Sequence, residues 1–170
     1  MMKGFHRVCL GMIVLAALTL CRPPFSLCAQ GGEGGRLYVN ARYGFSLTLP
    51  HGYESVMEPE NGDGVIVSYK NGMVLRVYGT LSPSVMNRGC KATFENDQRY
   101  FDKVTYRRLN ERESWFVLSG YRDGRIGYVK CFVGNTAAYA VDMSYPRTDA
   151  SRHDGFVRAV VKSFKPGSLE

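Results

Sequence analysis

Apolar and polar positions are most informative between Ser114 and Val133. Two β-rich runs, Trp115 to Arg122 and Arg125 to Val133, flank Asp123-Gly124. Asp-Gly between such runs predicts a two-residue type I′ hairpin, because both central residues need φ > 0. A turn there sets the register: Arg122 opposite Arg125, Gly120 opposite Gly127, Phe116 opposite Cys131 and Trp115 opposite Phe132. Alternation then gives two faces. One carries Trp115, Val117, Ser119, Tyr121, Ile126, Tyr128, Lys130 and Phe132. The other carries Phe116, Leu118, Gly120, Gly127, Val129, Cys131 and Val133, with both arginines at the tip. Neither face is cleanly polar, so the hairpin is expected inside a sheet covered on both sides. The Gly120/Gly127 pair leaves a flat patch that a helix can approach.

The same reading extends along the chain. Residues 43–50 alternate Tyr43, Phe45, Leu47 and Leu49 with small or polar residues, a half-buried strand ended by Pro50. Residues 51–64 are polar and turn-rich and read as a loop. Residues 65–70 and 73–79 flank Asn71-Gly72, a second expected type I′ hairpin. Pro83, capped by Ser82, opens a partly helical stretch from Ser84 to Asp102, interrupted at Gly89, with Cys90, Phe94, Phe101 and Val104 as a thin apolar stripe. Strands follow at 104–109 and 137–144. In the latter, Tyr139, Val141 and Met143 oppose a small face of Ala138, Ala140 and Asp142, suited to a close helix. Asp149 is a predicted N-cap for a last helix whose stripe is Val157, Val160, Val161 and Phe164. The sum is α+β: a central antiparallel sheet of about six or seven strands covered by helices.

The N-terminus belongs to a different class. Lys3 and Arg7 precede an apolar run of 13 residues, Val8 to Leu20, followed by Pro23, Pro24 and small residues around Ser26 to Ala29. This is the layout of a secretory signal peptide, and the run is short of the roughly 20 residues of a membrane helix. The expected organisation is a leader at 1–29, a Gly-rich linker at 30–35, one domain at 36–166 and a tail at 167–170. Export to the periplasm or beyond is the expected localisation. A membrane association requires that the leader stay uncleaved or that Cys21 be lipidated, and Cys21 lacks the small residue expected before it.

Charge and cysteines narrow the partners. The formal net charge is +7, and loss of Lys3, Arg7 and Arg22 with the leader leaves 19 basic against 15 acidic residues, +4. The basic residues are scattered, which does not favour nucleic acid. Three of the five cysteines lie in the leader, leaving Cys90 and Cys131 as either one disulfide or two small buried residues.

Few residues suggest chemistry. Outside the leader only His51 and His153 remain, and no GxSxG elbow, phosphate-binding glycine loop or zinc spacing occurs. No catalytic, cofactor-binding or metal-ligating residue is assigned and no cofactor is implied. Glu58, Glu60, Asn61 and Asp63 are rich in oxygen, but a calcium loop needs six to eight ordered oxygens and a closing Glu. A turn in which Asn61 and Asp63 bond their own backbone is the simpler reading. Arg122 and Arg125 face each other, an unfavourable pairing offset by solvent, by an acid such as Asp123, or by an anionic ligand. Trp115, Tyr121 and Tyr128, beside Ser119 and Lys130, either line a groove or form core under a helix. Asn61, Asp63, Trp115, Tyr121, Arg122, Arg125 and Tyr128 are therefore the candidate ligand-binding residues.

Two segments resemble PsbP-like domains. Tyr43-Gly44-Phe45-Ser46-Leu47-Thr48-Leu49-Pro50, with Tyr53 after it, is similar to their opening strand, and Val157 to Phe164, ending in Ser163-Phe164, is similar to their closing helix. The glycine-turned hairpin at 123–124 sits where those domains place one. The resemblance spans about residues 36–166 and implies an α/β/α sandwich around an antiparallel sheet. It implies little about function. PsbP is an extrinsic photosystem subunit, other members are binding proteins or uncharacterised exported proteins, and no family functional residue carries over by motif. The expected function is an exported, non-enzymatic binding or accessory module of the bacterial envelope, its partner an envelope protein or small ligand. The alternatives are an extracytoplasmic hydrolase-type enzyme using Asp63 or His51 as a base, and a membrane-anchored structural protein.

Overall fold

The computed structural model describes residues 34–81 and 88–170. The leader, most of the Gly-rich linker and the expected Ser82-Pro83 helix start lie outside the described residues, as does the side chain of Asp149. The structure holds a seven-stranded antiparallel sheet, a second two-stranded sheet and two helices, an α+β arrangement.

The small sheet pairs β1 (Arg36–Val39) with β2 (Ser46–Leu49). The large sheet contains β3 (Tyr53–Met57), β4 (Gly64–Tyr69), β5 (Val74–Thr80), β6 (Lys103–Asn110), β7 (Trp115–Arg122), β8 (Arg125–Val133) and β9 (Ala138–Tyr145), in the order β3-β4-β5-β9-β8-β7-β6. Helix α1 (Gly89–Asp97) and a 3₁₀ turn (Gln98–Tyr100) carry the chain from β5 to the far edge at β6. The chain then meanders back, so that β9 closes against β5. Helix α2 (Ala150–Ser163) follows β9.

The central hairpin has the expected register, with Gly120 opposite Gly127 and Trp115 opposite Phe132. Asp123 (φ 52°) and Gly124 (φ 72°) both take positive φ, as a type I′ turn demands. The Asn71-Gly72 turn differs. Only Gly72 (φ 77°) is left-handed, and the Tyr69 N–H donates to the Met73 carbonyl at 2.9 Å. Residues 70–72 thus form a three-residue loop closed by a left-handed glycine. The stretch 51–64 is not all loop, because β3 pairs with β4 at the sheet edge. Nearly all of β3 is exposed, so it shows no alternation to read. Residues 43–50 contribute β2 to the small sheet rather than to the large one, and β1, unanticipated, is its partner.

Two apolar clusters lie on opposite faces of the large sheet. The first joins Leu75, Val77, Val141 and Met143 with Phe45 and Leu47 of the β1–β2 unit and with Val160 and Phe164 at the end of α2. The Ser46 and Lys165 backbones exchange hydrogen bonds of 2.9 and 2.8 Å, tying the chain after α2 to β2. The second cluster joins Phe116, Leu118, Val129, Cys131, Ala138 and Ala140 with Cys90 of α1. The rings of Phe94 and Phe116 meet edge-on, with centroids 5.6 Å apart. The Gly120/Gly127 patch is filled by the chain leaving the 3₁₀ turn rather than by a helix. A Cβ on Gly120 would sit 2.0 Å from the Lys103 carbonyl oxygen, and one on Gly127 would sit 3.0 Å from the Phe101 ring. Cys90 and Cys131 are both buried free thiols. Burial pushes Cys90 up to about 11 and raises Cys131 well above the usual thiol range.

Candidate functional site

The candidate residues fall into three separate places. Asn61 and Asp63 lie in the turn before β4. The Asp63 N–H donates to Asn61 Oδ1 at 3.2 Å, and Asn61 Nδ2 donates to Asp63 Oδ2 at 2.7 Å. Arg42 Nη1 reaches Asp63 Oδ1 at 2.7 Å, and Asn40 Nδ2 donates to the Gly62 carbonyl at 2.9 Å. This loop fastens the β1–β2 unit to the large sheet, and its oxygens are spent on that task. His51 precedes β3 and Asp63 precedes β4, whose antiparallel pairing puts them at opposite ends of the hairpin. His153 is buried beside Tyr145, with ring centroids 4.7 Å apart. Among the described residues no group of three or more His, Cys, Asp or Glu side chains is placed to hold a metal ion.

Trp115, Tyr121 and Tyr128 lie on the α2 face, toward the β6 edge. A groove of about 580 Å³ opens there between Tyr106, Ser119 and Tyr128 of the sheet and Asp154, Val157 and Arg158 of α2. Burial, with neighbouring Tyr106 and Tyr145, pushes the Tyr128 phenol up to about 12. The aromatics are already engaged by cations. Arg108 and Lys130 each stand 5.3 Å from the Trp115 ring, and Arg147 stands 4.2 Å from that of Tyr121. The Trp115 indole N–H donates to Glu113 at 2.8 Å. Trp115 is thus held by its own neighbours, and Tyr106 is the exposed ring of the set.

Arg122 and Arg125 lie on the opposite face, and neither relies on solvent to offset the other. Arg122 Nη2 reaches Asp142 Oδ1 at 2.5 Å, with the two side chains only 16% and 14% exposed. The acid is Asp142 of β9, not Asp123. Arg122 also stands 5.4 Å from the Phe101 ring. Arg125 donates to Ser144 Oγ at 2.7 Å, to the Gly72 carbonyl at 2.5 Å and to the Ser144 carbonyl at 3.1 Å.

The Arg122–Asp142 pair forms the floor of a cleft of about 550 Å³. The cleft exists because cover is incomplete. Helix α1 packs over β7 and β8 and ends at Asp97, so the strip formed by Arg76 and Tyr78 of β5 and Asp142 of β9 emerges beside it. Arg76 and Asp142 are cross-strand partners, yet Asp142 turns to Arg122. Arg99, Tyr100 and Asp102 form the rim. Among the described residues neither Arg76 nor Asp97 forms an ion pair.

Asp97 is the unusual group. Burial pushes its carboxyl up to about 6; a hydrogen bond from Asn96 pulls the other way and the Asp142 charge adds to the rise. It also closes a helix whose last turn has no basic residue, where the carbonyl ends already carry negative character. Burial raises the neighbouring Tyr78 phenol further above its usual range, with Asp142 as the next cause. Beyond the compensated pair, the cleft thus holds the guanidiniums of Arg76 and Arg99 and the carboxyls of Asp97, Asp102 and Asp123, and Asp97 is the one whose burial raises it. That arrangement can bind and orient a charged ligand.

Sequence reasoning found Arg122 but missed Arg76, Asp97 and Asp142. They come from β5, α1 and β9, far apart in the chain. The one local signal was an acid at a helix C-terminus.

No protein-family model and no curated protein sequence matches the chain. Among solved structures, the solution structure of cyanobacterial PsbP (CyanoP) from Synechocystis sp. PCC 6803 is similar over 81% of this chain and 97% of that one, with a TM-score of 0.54 at 14% identity. At that identity the likeness speaks for the fold alone: the chain has a PsbP-like fold.

Proposed function

We propose that the protein is an exported, non-enzymatic binding module of the bacterial envelope that acts through the cleft beside the end of α1. One observation supports the reading: Arg122 and Asp142 neutralise each other on the cleft floor, while Arg76 and Asp97 stand there without ion-pair partners among the described residues. Concave sites with a few convergent polar groups and a perturbed carboxyl are the usual form of a small-ligand site. Export rests on the layout of residues 1–29, and the periplasm is the compartment this reading favours. No helix among the described residues is long and apolar enough to cross a membrane. The same proposal takes the domain as an α/β/α sandwich in which each helix covers one face, and its cleft as the place where the α1 cover stops.

The test has two parts. N-terminal sequencing of the exported protein is expected to begin near Gln30, and retention of Met1 would overturn the cleaved leader. A low-molecular-mass extract of the cell envelope is then added to ¹⁵N-labelled protein. Backbone shifts around Arg76, Asp97 and Arg122 support the cleft, whereas shifts confined to the Tyr106–Tyr128 groove, or none, overturn it.

A further inference from the structure

Taking the cleft as the binding site, its charges specify a ligand. Arg122 is fixed by Asp142 and by the Phe101 ring, so it is a wall rather than a free donor. Arg76 is exposed and, among the described residues, has no ion-pair partner, which leaves its N–H donors open to a carboxylate. Asp97 is disfavoured as an anion in three independent ways: it is partly desolvated, it faces Asp142, and it closes a helix at its negative end. A cation from outside relieves all three at once. Among the described residues no side chain supplies it in an ion pair: Arg122 is held by Asp142, and Arg76 and Arg99, which line the same cleft, form none. Such a mismatch between local preference and placement is what a functional group produces. A cleft of about 550 Å³ has room for a short peptide.

We propose that this cleft binds a small zwitterion of the short-peptide type, its ammonium group against Asp97 and its carboxylate against Arg76. The ligand then neutralises Asp97 and Arg76 without disturbing the Arg122–Asp142 pair. Recognition requires the carboxylate form of Asp97. The charged and titratable groups around it are Asp142 on β9, Arg122 on β7, Cys131 on β8, and Tyr78 and Arg76 on β5, with Arg99 beside it on its own turn and Asp102 and Asp123 across the cleft. Cys131 and Tyr78 stay neutral below pH 8, because burial raises both. Asp97 therefore governs the response. Its carboxyl ionises around pH 6, while a peptide amine keeps its proton to nearly 8, so binding tightens about tenfold between about pH 5 and pH 7.

The experiment follows chemical shifts of the ¹⁵N-labelled protein as trialanine, N-acetyl-trialanine and trialanine amide are added separately. Trialanine is expected to shift residues around Arg76, Asp97 and Arg122. N-acetylation removes the cation and is expected to weaken binding at least tenfold, as is Asp97→Asn. Arg76→Ala, at an exposed position that leaves the fold intact, is expected to weaken trialanine binding and to have little effect on the amide. Equal binding of trialanine and its N-acetyl form overturns the ammonium assignment while leaving the cleft in place as an anion site. If none of the three peptides shifts the cleft, the zwitterion inference fails, and the envelope-extract experiment decides separately whether the cleft binds anything.

Discussion

Asp97→Asn is predicted to stabilise the protein at neutral pH, the reverse of what loss of a structural acid does. The native carboxyl is pushed up to about 6 from 3.8. At roughly 1.4 kcal/mol per pH unit, two units amount to about 3 kcal/mol for a fully desolvated group. Asp97 is only half-buried, and screening by water lowers the expected value to about 1–2 kcal/mol. The sign follows from proton counting. Between about pH 4 and pH 6 the folded protein holds a proton that the unfolded chain has released, so stability falls as pH rises. Below about pH 4 both states are protonated and the cost vanishes, while above about pH 6 it is complete. Urea unfolding of wild type and Asp97→Asn across this range isolates the effect, since other titrating groups cancel in the difference. The variant is expected to match wild type near pH 4 and to exceed it by about 1–2 kcal/mol at pH 7. A pH-independent difference, or a variant less stable at pH 7, would show that burial does not penalise the Asp97 carboxylate.

Three further outcomes test the fold. Gly120→Ala is expected to cost about 1–3 kcal/mol, because its Cβ meets the Lys103 carbonyl, whereas Gly127→Ala meets a movable Phe101 ring and should cost less; thermal unfolding ranks the two. Phe116→Ala, at a fully buried position under α1, is expected to cost about 3–5 kcal/mol by urea unfolding. Cys90 and Cys131 are expected to resist iodoacetamide at pH 8 in the native protein and to react together on unfolding without reductant, since both are buried thiols whose ionisation burial suppresses; mass spectrometry that finds neither thiol reactive after unfolding would show a disulfide instead.

The parts of the fold legible in the sequence are those that local chemistry decides alone. Asp123-Gly124 allows one turn and hence one register, and that register placed every face of β7 and β8. The Val157–Phe164 stripe likewise named the buried side of α2. Edge elements were not legible: β3 is exposed along most of its length, so burial imposed no period on Tyr53 to Met57. Asn71-Gly72 carries the same dipeptide signal as a type I′ turn, but the loop takes one more residue and only Gly72 turns left-handed. The site was legible only in part, because charge pairing is tertiary. Arg122 looked opposed by Arg125 alone until β9 brought Asp142 beneath it. Asp97 gains its character from ending α1 against that pair, which no local pattern encodes.

A carboxyl kept for an external cation, as proposed for Asp97, shows itself in its own ionisation. A ¹³C-detected titration of the Asp97 side chain tests it most directly. The expected midpoint is near 6 in the free protein, with a clear fall on addition of trialanine. A midpoint near 3.8 that the peptide leaves unmoved would contradict it.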